Sequence, residues 1–249
     1  MLDELDEIRG WLEAADRVTV LTGAGVSTPS GIPDFRGPNG LWTKDPSAAA
    51  MFDIDRYRAD PDLRRRAWVN RRDHPAWSAR PNDAHLAFVA LETSGRLRAL
   101  LTQNIDGLHQ AAGNSPEAVV ELHGTLFDSA CLDCGHRVPM TQVLARVDAG
   151  EDDPECRRCG GIQRSATVAF GQSLHPDVVA AAVQAASDCD VFLAAGTSLQ
   201  VNPAAGLCQV ALRAGARLVV ANGSPTPYDS LAHAVLRDDL TAVLPRLLS

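Results

Sequence analysis

The stretch Arg17-Val-Thr-Val-Leu-Thr-Gly-Ala-Gly-Val-Ser27 decides the fold class. Residues 18–22 are β-branched or apolar, the composition of a short strand. Gly23 and Gly25 follow without a gap. A strand, a glycine-rich turn and a helix start together form the pattern of a nucleotide-binding α/β unit. Glycines at such a turn let the backbone approach a pyrophosphate, with amides and the helix dipole as the positive end. The match is partial, because the third glycine of G-x-G-x-x-G is missing. Alone, such a turn serves the path of the chain as readily as a ligand.

Outward from this stretch the alternation continues. Leu2, Leu5, Ile8 and Leu12 recur at helical spacing before it. Apolar runs at 97–102, 119–122, 191–195 and 218–221 follow, each ending in small or polar residues. Helical stretches lie between them, at about 83–92, 176–187 and 204–214. Strands alternating with helices predict a Rossmann-like α/β fold, a parallel sheet covered on both faces. Ligands of such sheets bind at the carboxyl ends of the strands. The unusual residues stand there: 23–27, 103–106, His123, 196–198 and Asn222.

Two segments interrupt the pattern. Residues 38–81 hold three of the four tryptophans and the run Arg64-Arg-Arg66, and read as a helical insertion. Residues 125–165 hold four paired cysteines and little apolar periodicity, and read as a zinc-binding module. The expected organisation is a Rossmann-like domain from 1–37, 82–124 and 166–249, with 38–81 and 125–165 forming a smaller domain.

Cys131-x-x-Cys134 and Cys156-x-x-Cys159 have 21 residues between them. Two such knuckles close a tetrahedral sulfur shell that suits Zn²⁺, and a filled shell makes the metal structural. Two disulfides or a redox pair are the alternatives. Cys189 and Cys208 lie in apolar contexts and read as core residues.

Composition excludes several classes. The chain has 249 residues, 45% hydrophobic and 22% charged, enough for one large domain or for one domain carrying a smaller one. The net charge of −8 argues against direct nucleic-acid binding, which needs a basic field. No stretch approaches the roughly 20 apolar residues that span a bilayer. The acidic start Met1-Leu-Asp-Glu-Leu-Asp-Glu7 resembles no secretory or transit signal, so a reducing, cytoplasmic location is expected.

Three further segments carry candidate chemistry. Thr102-Gln-Asn-Ile-Asp106 puts several polar groups at a strand end, costly unless they bond to each other, to a ligand or, as a cap, to solvent. Glu121-Leu-His-Gly124 places a histidine at the sheet's carboxyl edge, where it can act as general base. Gly196-Thr-Ser198 can hold phosphate or ribose through amides and hydroxyls. Asn222 is neutral and no arginine follows closely, which favours NAD over NADP.

Taken together these residues resemble the sirtuin family of NAD-dependent protein deacylases, of bacterial type. The matches are Gly23-Ala-Gly-Val-Ser27, Gly31-Ile-Pro-Asp-Phe-Arg36, Gly40-Leu-Trp42, Thr102-Gln-Asn-Ile-Asp106, His123-Gly124, the four cysteines, Phe170-Gly171, and Gly196-Thr-Ser-Leu199 with Val201 and Pro203. They run in the family's order from Val18 to Asn222. No single motif is decisive; the ordered set is specific.

The resemblance implies roles. Ala24, Gly25, Thr197 and Ser198 would hold the pyrophosphate and nearby ribose. Phe35 and Arg36 would cover the nicotinamide, Asp106 and Ile105 would hold its carboxamide, and Gln103 and Asn104 would position its ribose. Gly23, Ser27, Asp34, Gly196, Asn222, Gly223, Ser224 and Leu240 complete the implied cofactor contacts. His123, with Asn104, would be catalytic, and the acyl group of an acyl-lysine protein or peptide would pass to ADP-ribose as nicotinamide leaves. The substrate backbone would pair between 168–171 and 199–202, touching Val168, Phe170, Gly171, Leu199 and Val201.

Three departures from the family pattern stand out. Gln172 replaces the usual glutamate after Phe170-Gly171, and Gly223 follows Asn222 where a larger side chain is common. Trp68 stands where relatives that accept succinyl-lysine carry tyrosine, three residues before Arg71. If Trp68 lines the acyl pocket, neutral acyl groups should be preferred; if it is a core residue, it touches no substrate. Mono-ADP-ribosyl transfer to protein, at the same NAD site, is the alternative activity. A non-catalytic NAD-binding module and a dehydrogenase fit less well.

Overall fold

The computed structural model describes residues 2–37, 40–44 and 46–248. Met1 of the acidic start, Pro38, Asn39 and Asp45 of the helical insertion, and Ser249 lie outside them. Along the chain the strands are β1 Val18–Thr22, β2 Leu97–Thr102, β3 Val119–Glu121, β4 Gly124–Cys131, β5 Arg137–Pro139, β6 Gln163–Thr167, β7 Val191–Ala195, β8 Arg217–Ala221 and β9 Ala234–Leu236. The α-helices are α1 Leu2–Ala14, α2 Leu41–Lys44, α3 Ile54–Ala59, α4 Pro61–Arg72, α5 Asp83–Thr93, α6 Leu108–Ala112, α7 Met140–Asp148, α8 Pro176–Ser187, α9 Gly206–Arg213 and α10 Leu240–Leu248.

Six strands form one sheet in the order β3-β2-β1-β7-β8-β9, all parallel. From β1 the chain winds outward through β2 to β3; from β7 it winds the other way through β8 to β9. The reversal between β1 and β7 is a topological switch point, where doubly wound sheets open a crevice. Every residue of β1 and β7 is buried, as strands covered on both faces must be.

Alternate strand positions feed two cores. On one face Val20, Leu100 and Leu193 meet Ile8 and Leu12 of α1, Phe88 and Leu91 of α5, and Val243, Leu244 and Leu247 of α10. On the other, Leu21, Leu101, Phe192 and Leu218 meet Ala182 and Ala185 of α8 and Leu207, Cys208 and Ala211 of α9. Each fully buried large side chain contributes about 1.5–3 kcal/mol. Cys189 and Cys208 are buried, free thiols of this second core. Beyond residue 221 the sequence reading placed no element. β9 is only three residues long, and Pro245 interrupts α10, so neither signals itself strongly.

The three remaining strands form an antiparallel sheet in the order β5-β4-β6. Helix α4 starts on an N-cap, Asp60, which accepts from the Asp62 and Leu63 amides, with Pro61 in the first turn. Its Trp68 packs against Met140, Val143 and Leu144 of α7, with Trp77 and Val138 alongside. The helical insertion and the cysteine-bearing sheet therefore share one small core.

Candidate active site

The parallel register levels the strand ends. Thr22 of β1 sits beside Thr102 of β2 and Ala195 of β7, Thr102 beside Glu121, and Ala195 beside Ala221. The residues just beyond line one edge. At the switch point two glycine turns interlock: the Gly23 amide donates to Ala195 O at 3.1 Å and the Gly25 amide to Gly196 O at 2.9 Å. A Cβ on Gly23 would stand 2.7 Å from Gly196 O, and one on Gly196 would stand 2.5 Å from the Val26 nitrogen. Gly196 also has φ +62°, which favours glycine. Among the described residues the Ala24, Thr197 and Ser198 amides donate to no backbone group. This crevice of glycines and free amides fits a pyrophosphate.

The polar strand end after β2 bonds to itself and to the glycine turn. Asn104 Nδ2 donates to Gly23 O at 3.1 Å and to Ser27 Oγ at 3.2 Å. Ser27 Oγ donates to Asp106 Oδ2 at 2.7 Å, and the Leu108 amide to Asp106 Oδ1 at 3.0 Å. Burial raises the Asp106 pKa, and those two hydrogen bonds pull it back. Gln103 Nε2 donates to Thr197 Oγ1 at 2.8 Å, joining the two halves across the switch point. Of the alternatives for this segment, the solvated helix cap is excluded for Asn104 and Asp106, both buried. Ile105 lies beside the cleft, its carbonyl accepting from the Leu126 amide at 2.9 Å.

His123 follows β3, and its Nδ1 lies 3.0 Å from Gln103 O. A carbonyl partner fixes the proton on Nδ1 and leaves Nε2 as a lone pair. Burial lowers the pKa of the imidazole, partly offset by that carbonyl. Gly124, at φ +72°, lets the chain turn directly into β4; a Cβ there would stand 2.1 Å from Ala166 O.

An aromatic wall stands opposite. Phe35 lies 4.8 Å from Trp42 and 5.5 Å from Phe52, and Trp42 lies 5.5 Å from Phe170, between ring centroids. The exposed Arg36 stacks its guanidinium 4.5 Å from the Trp42 ring centre. Asp34 shapes this loop by accepting from the Gly37 amide at 3.0 Å. Phe170 is 43% exposed, large for an aromatic side chain, and its backbone already bridges Asp53. The Phe170 amide and carbonyl are thereby used, so Gly171, which follows at φ +86°, is the freer backbone of this segment. Val168 is half-buried, its amide donating to His123 O at 2.8 Å. On the other bank Leu199 is buried at φ +52° and Val201 is half-buried. Gln172, the departure from the family pattern, accepts through Oε1 from Arg164 Nη1 at 2.7 Å and from the Ala169 amide at 3.0 Å, so it holds this turn.

After β8, Asn222 Nδ2 donates to Ser224 O at 2.8 Å across Gly223. No arginine follows closely in the chain, but the fold brings one near. Arg237, beyond β9, donates to Asn222 O at 2.6 Å and to Ser224 O at 3.2 Å, and pairs with Asp229. Its charge is matched by Asp229, so it shapes the loop rather than offering a free cation to a 2′-phosphate. Leu240 opens α10 as a buried member of the first core.

The four paired cysteines converge: their sulfurs all lie within 4.8 Å of one another. Cys131 and Cys159 sulfurs are 3.5 Å apart, and Cys134 and Cys156 sulfurs 3.8 Å. Both are close to the edge of a tetrahedron with metal–sulfur bonds of about 2.3 Å, the zinc value. All six cysteines are free. The donor set and its spacing fit Zn²⁺.

Trp68 is the core residue of the two readings considered for it, with 1% of its surface exposed. Arg71 beside it is half-buried, and its enclosed Nη1 has no partner. The sequence reading missed Thr22 as a bonded group and His109 altogether. His109 sits on α6, a single short turn of helix that no apolar run announces.

Comparison with known proteins gives one answer. The model of the Sir2 family matches residues 23–203. An NAD-dependent protein deacetylase of Streptomyces coelicolor is 55% identical over 231 residues, 93% of this chain and 96% of that protein. One of Pyrobaculum aerophilum is 42% identical over 249 residues, 99% and 94% of the two chains. A solved Sir2 structure holding a deacetylated peptide and 3′-O-acetyl ADP-ribose superposes with a TM-score of 0.90 at 35% identity, covering 98% of this chain and 97% of that one. Another, bound to a propionylated peptide, gives 0.87 at 32% identity, with 98% and 97% covered. The match spans both glycine turns, the histidine and the cysteine-bearing sheet between them: the chain belongs to the Sir2 family.

Proposed function

We infer that the chain is an NAD-dependent protein-lysine deacetylase that transfers the acyl group to ADP-ribose and releases nicotinamide. The observation that carries this reading is His123, held at the sheet edge by Gln103 O with Nε2 free to take a proton. When bound, NAD supplies the ribose that accepts the acyl group. The free amides of Ala24, Thr197 and Ser198 would hold its pyrophosphate at the crevice of Gly23, Gly25 and Gly196. Gln103 and Asn104 would position the nicotinamide ribose, with Ser27, Asp106 and Ile105 at the carboxamide. Asp34, Phe35 and Arg36 would close that side. Asn222, Gly223 and Ser224 would take the other ribose; Leu240 fits a backing role from the core. His123 Nε2 would remove the proton from the ribose hydroxyl system.

The acyl-lysine segment would lie between 168–171 and 199–202. Gly171 offers free backbone there, and Val168, Phe170, Leu199 and Val201 offer apolar surface. Cys131, Cys134, Cys156 and Cys159 would hold one Zn²⁺ as a structural ion in a closed shell. The domain division is residues 1–37, 82–124 and 166–249 for the cofactor, and 38–81 with 125–165 for the smaller wall. No described helix is long and apolar enough to cross a membrane. Thiols kept reduced for a metal support action in the cytoplasm.

Deacylation is favoured over mono-ADP-ribosyl transfer because relatives across the chain's length bear deacetylase names. The test is incubation with NAD and an acetyl-lysine peptide, followed by mass spectrometry. Nicotinamide, bare lysine and O-acetyl-ADP-ribose are expected. Gain of ADP-ribose on protein without loss of acetyl would overturn the reading.

A further inference from the structure

Behind the site lie two histidines that the proposed chemistry does not use. His85 stands in the first turn of α5 and His109 on α6; neither is more than 1% exposed. Their rings are 5.0 Å apart between centroids. Each has one nitrogen with a partner and one without: His85 Nε2 and His109 Nδ1 are buried and unpartnered. An unmet buried polar atom costs about 1–3 kcal/mol, so the pair calls for an account.

The bonded nitrogens assign the protons. The Asn82 amide donates to His85 Nδ1 at 3.3 Å, so Nδ1 carries no proton in the neutral ring and Nε2 does. Thr22 Oγ1 donates its one hydrogen to Thr102 Oγ1 at 2.9 Å. His109 Nε2 lies 2.9 Å from that same Thr22 oxygen and must therefore be the donor. His109 Nδ1 is then a lone pair. The unmatched donor of one ring and the unmatched acceptor of the next are complementary. The other orphan of this seam, Asn114 Oδ1, lies farther along α5, where its amide nitrogen meets Phe88 O and Glu92.

We propose that His85 and His109 form a neutral imidazole pair, each protonated at Nε2, that positions Asn104 and the glycine turn from behind. The Asn82 amide holds His85 from one side; from His109 donors run on through Thr22 to Thr102, and the two rings meet through their complementary unpartnered nitrogens, 5.0 Å apart between centroids. Thr102 Oγ1 also accepts the Asn104 amide at 3.1 Å, which sets the backbone of that residue. At its other end Asn82 Nδ2 donates to Val26 O and Ser30 Oγ, both at 2.9 Å, holding the turn that follows Gly25. One frame thus sets both loops that face the nicotinamide ribose. Burial keeps both rings neutral: the His85 pKa falls to about 4 and that of His109 to about 3. A cation on either ring would remove an acceptor and reverse the chain. These are positioning residues, and their role rests on the deacetylase reading only for its activity readout.

Two measurements test it. In the unaltered protein, ¹⁵N–¹H spectra of the imidazoles should report the Nε2–H tautomer for both rings, unchanged between pH 5 and 9. An Nδ1–H tautomer at His109 would overturn the proposal, with or without enzymatic activity. Second, His109→Leu and His109→Gln are compared. Leucine fills the space and breaks the chain; glutamine keeps a donor toward Thr22. His109→Leu should lower kcat/KM for NAD by about tenfold or more through misplacement of Asn104, and His109→Gln should recover most of it. Equal activity of the two variants, or a leucine variant as active as the parent, would reduce the histidine to packing. Thr102→Val supplies the control if His109→Leu does not fold: it cuts the same chain at its far end. It should lower kcat/KM for NAD by a similar factor, and a Thr102→Val variant as active as the parent would count against one connected frame. A parent with no deacetylase activity would fail the functional reading alone, because the tautomers are read without substrate.

Discussion

The six-stranded sheet and the three-stranded sheet are stabilised by different means. In the large sheet β1 and β7 are buried at every position and sandwiched between two helical layers. Its cysteines, Cys189 and Cys208, are inert core residues, with burial raising both thiol pKa values. In the small sheet β5 is exposed at two of its three positions. Buried positions of β4 and β6 include Ser129, Gln163, Arg164 and Ser165, which contribute little apolar area. A sheet with that composition needs fastening, and it has two devices: the core of Trp68, Met140, Val143 and Leu144, and the sulfur cluster at the tip of β4. The proposed chemistry lies where the self-sufficient sheet meets the fastened one. His123 follows the last residues of β3 and Gly124 begins β4.

The largest effect should come from unfastening the small sheet. Chelation, or Cys156→Ser, should release one zinc per chain and abolish deacetylation, because a structural metal site and its local fold are coupled. Amide exchange should quicken in β4–β6 and remain slow in β1, β2 and β7. Metal analysis that finds no zinc in the active protein, or full activity after its removal, would break the comparison at this point.

On the other side of the junction, His123→Ala should keep both sheets and NAD binding. Turnover should fall on the order of a hundredfold or more, the usual contribution of a positioned base. The base must be neutral to act, and burial lowers its pKa. The acid limb of kcat/KM should therefore lie below the ordinary histidine value of about 6.5. A limb above that value, or near-normal turnover in the variant, removes His123 from the role.

How far each region was legible follows from the same contrast. The large sheet announces itself because its strands, β9 apart, are mostly apolar runs ending in glycine or polar residues. Residues 97–102 and 191–195 are strands at those bounds. The cysteine spacing reads directly as a cluster, since two-residue knuckles bring sulfurs together. The strands and helix of the small sheet were not readable: β4 and β6 carry serine, glutamine and arginine inward, and pairing alone makes them strands. Helix α6 and β9 are too short for a period to register. Arg237 lies 15 residues from the Asn222 carbonyl it binds, and only the parallel pairing of β8 with β9 brings it there.

Acid should distinguish the two regions by stability. Burial lowers the pKa of His85 and His109 in the large domain and of His74 in the helical insertion, to about 4, 3 and 4 respectively. Neighbouring charge adds to this: His85 beside His109, and Arg71 beside His74. The unfolded chain takes protons on these groups below about pH 6.5, and the folded chain does not until much lower pH. Each lowered imidazole thus costs stability as pH falls, with a slope of up to about 1.4 kcal/mol per pH unit in that window. Denaturation at pH 7 and pH 5 should show the loss, and His74→Gln should reduce it while leaving the exchange of β1 and β2 unaltered. A flat profile from pH 7 to pH 5 would mean that the imidazoles are not held neutral by the fold.

The smallest expected effect concerns the acyl group. A succinyl-lysine carries a carboxylate, and an unpaired buried charge costs several kcal/mol, so a pocket either pairs it or rejects it. At the position where a tyrosine would assist, this chain has Trp68, whose indole Nε1 points to Asp153 Oδ1 at 3.4 Å and whose ring is enclosed by α7. Trp68 therefore belongs to the small core and has no surface to offer an acyl chain. Trp68→Phe should lower the stability of the small domain by a few kcal/mol at most, as a partial large-to-small core change does. The ratio of kcat/KM on matched acetyl and succinyl peptides should stay within about twofold, a difference worth roughly 0.4 kcal/mol. Arg71→Gln serves as the contrasting variant: Arg71 is half-buried three residues after Trp68, and it is the charged group whose removal tests carboxylate pairing. A ratio that moves with Trp68 and not with Arg71 would return the tryptophan to the pocket and transfer specificity from the charged residue to the aromatic one.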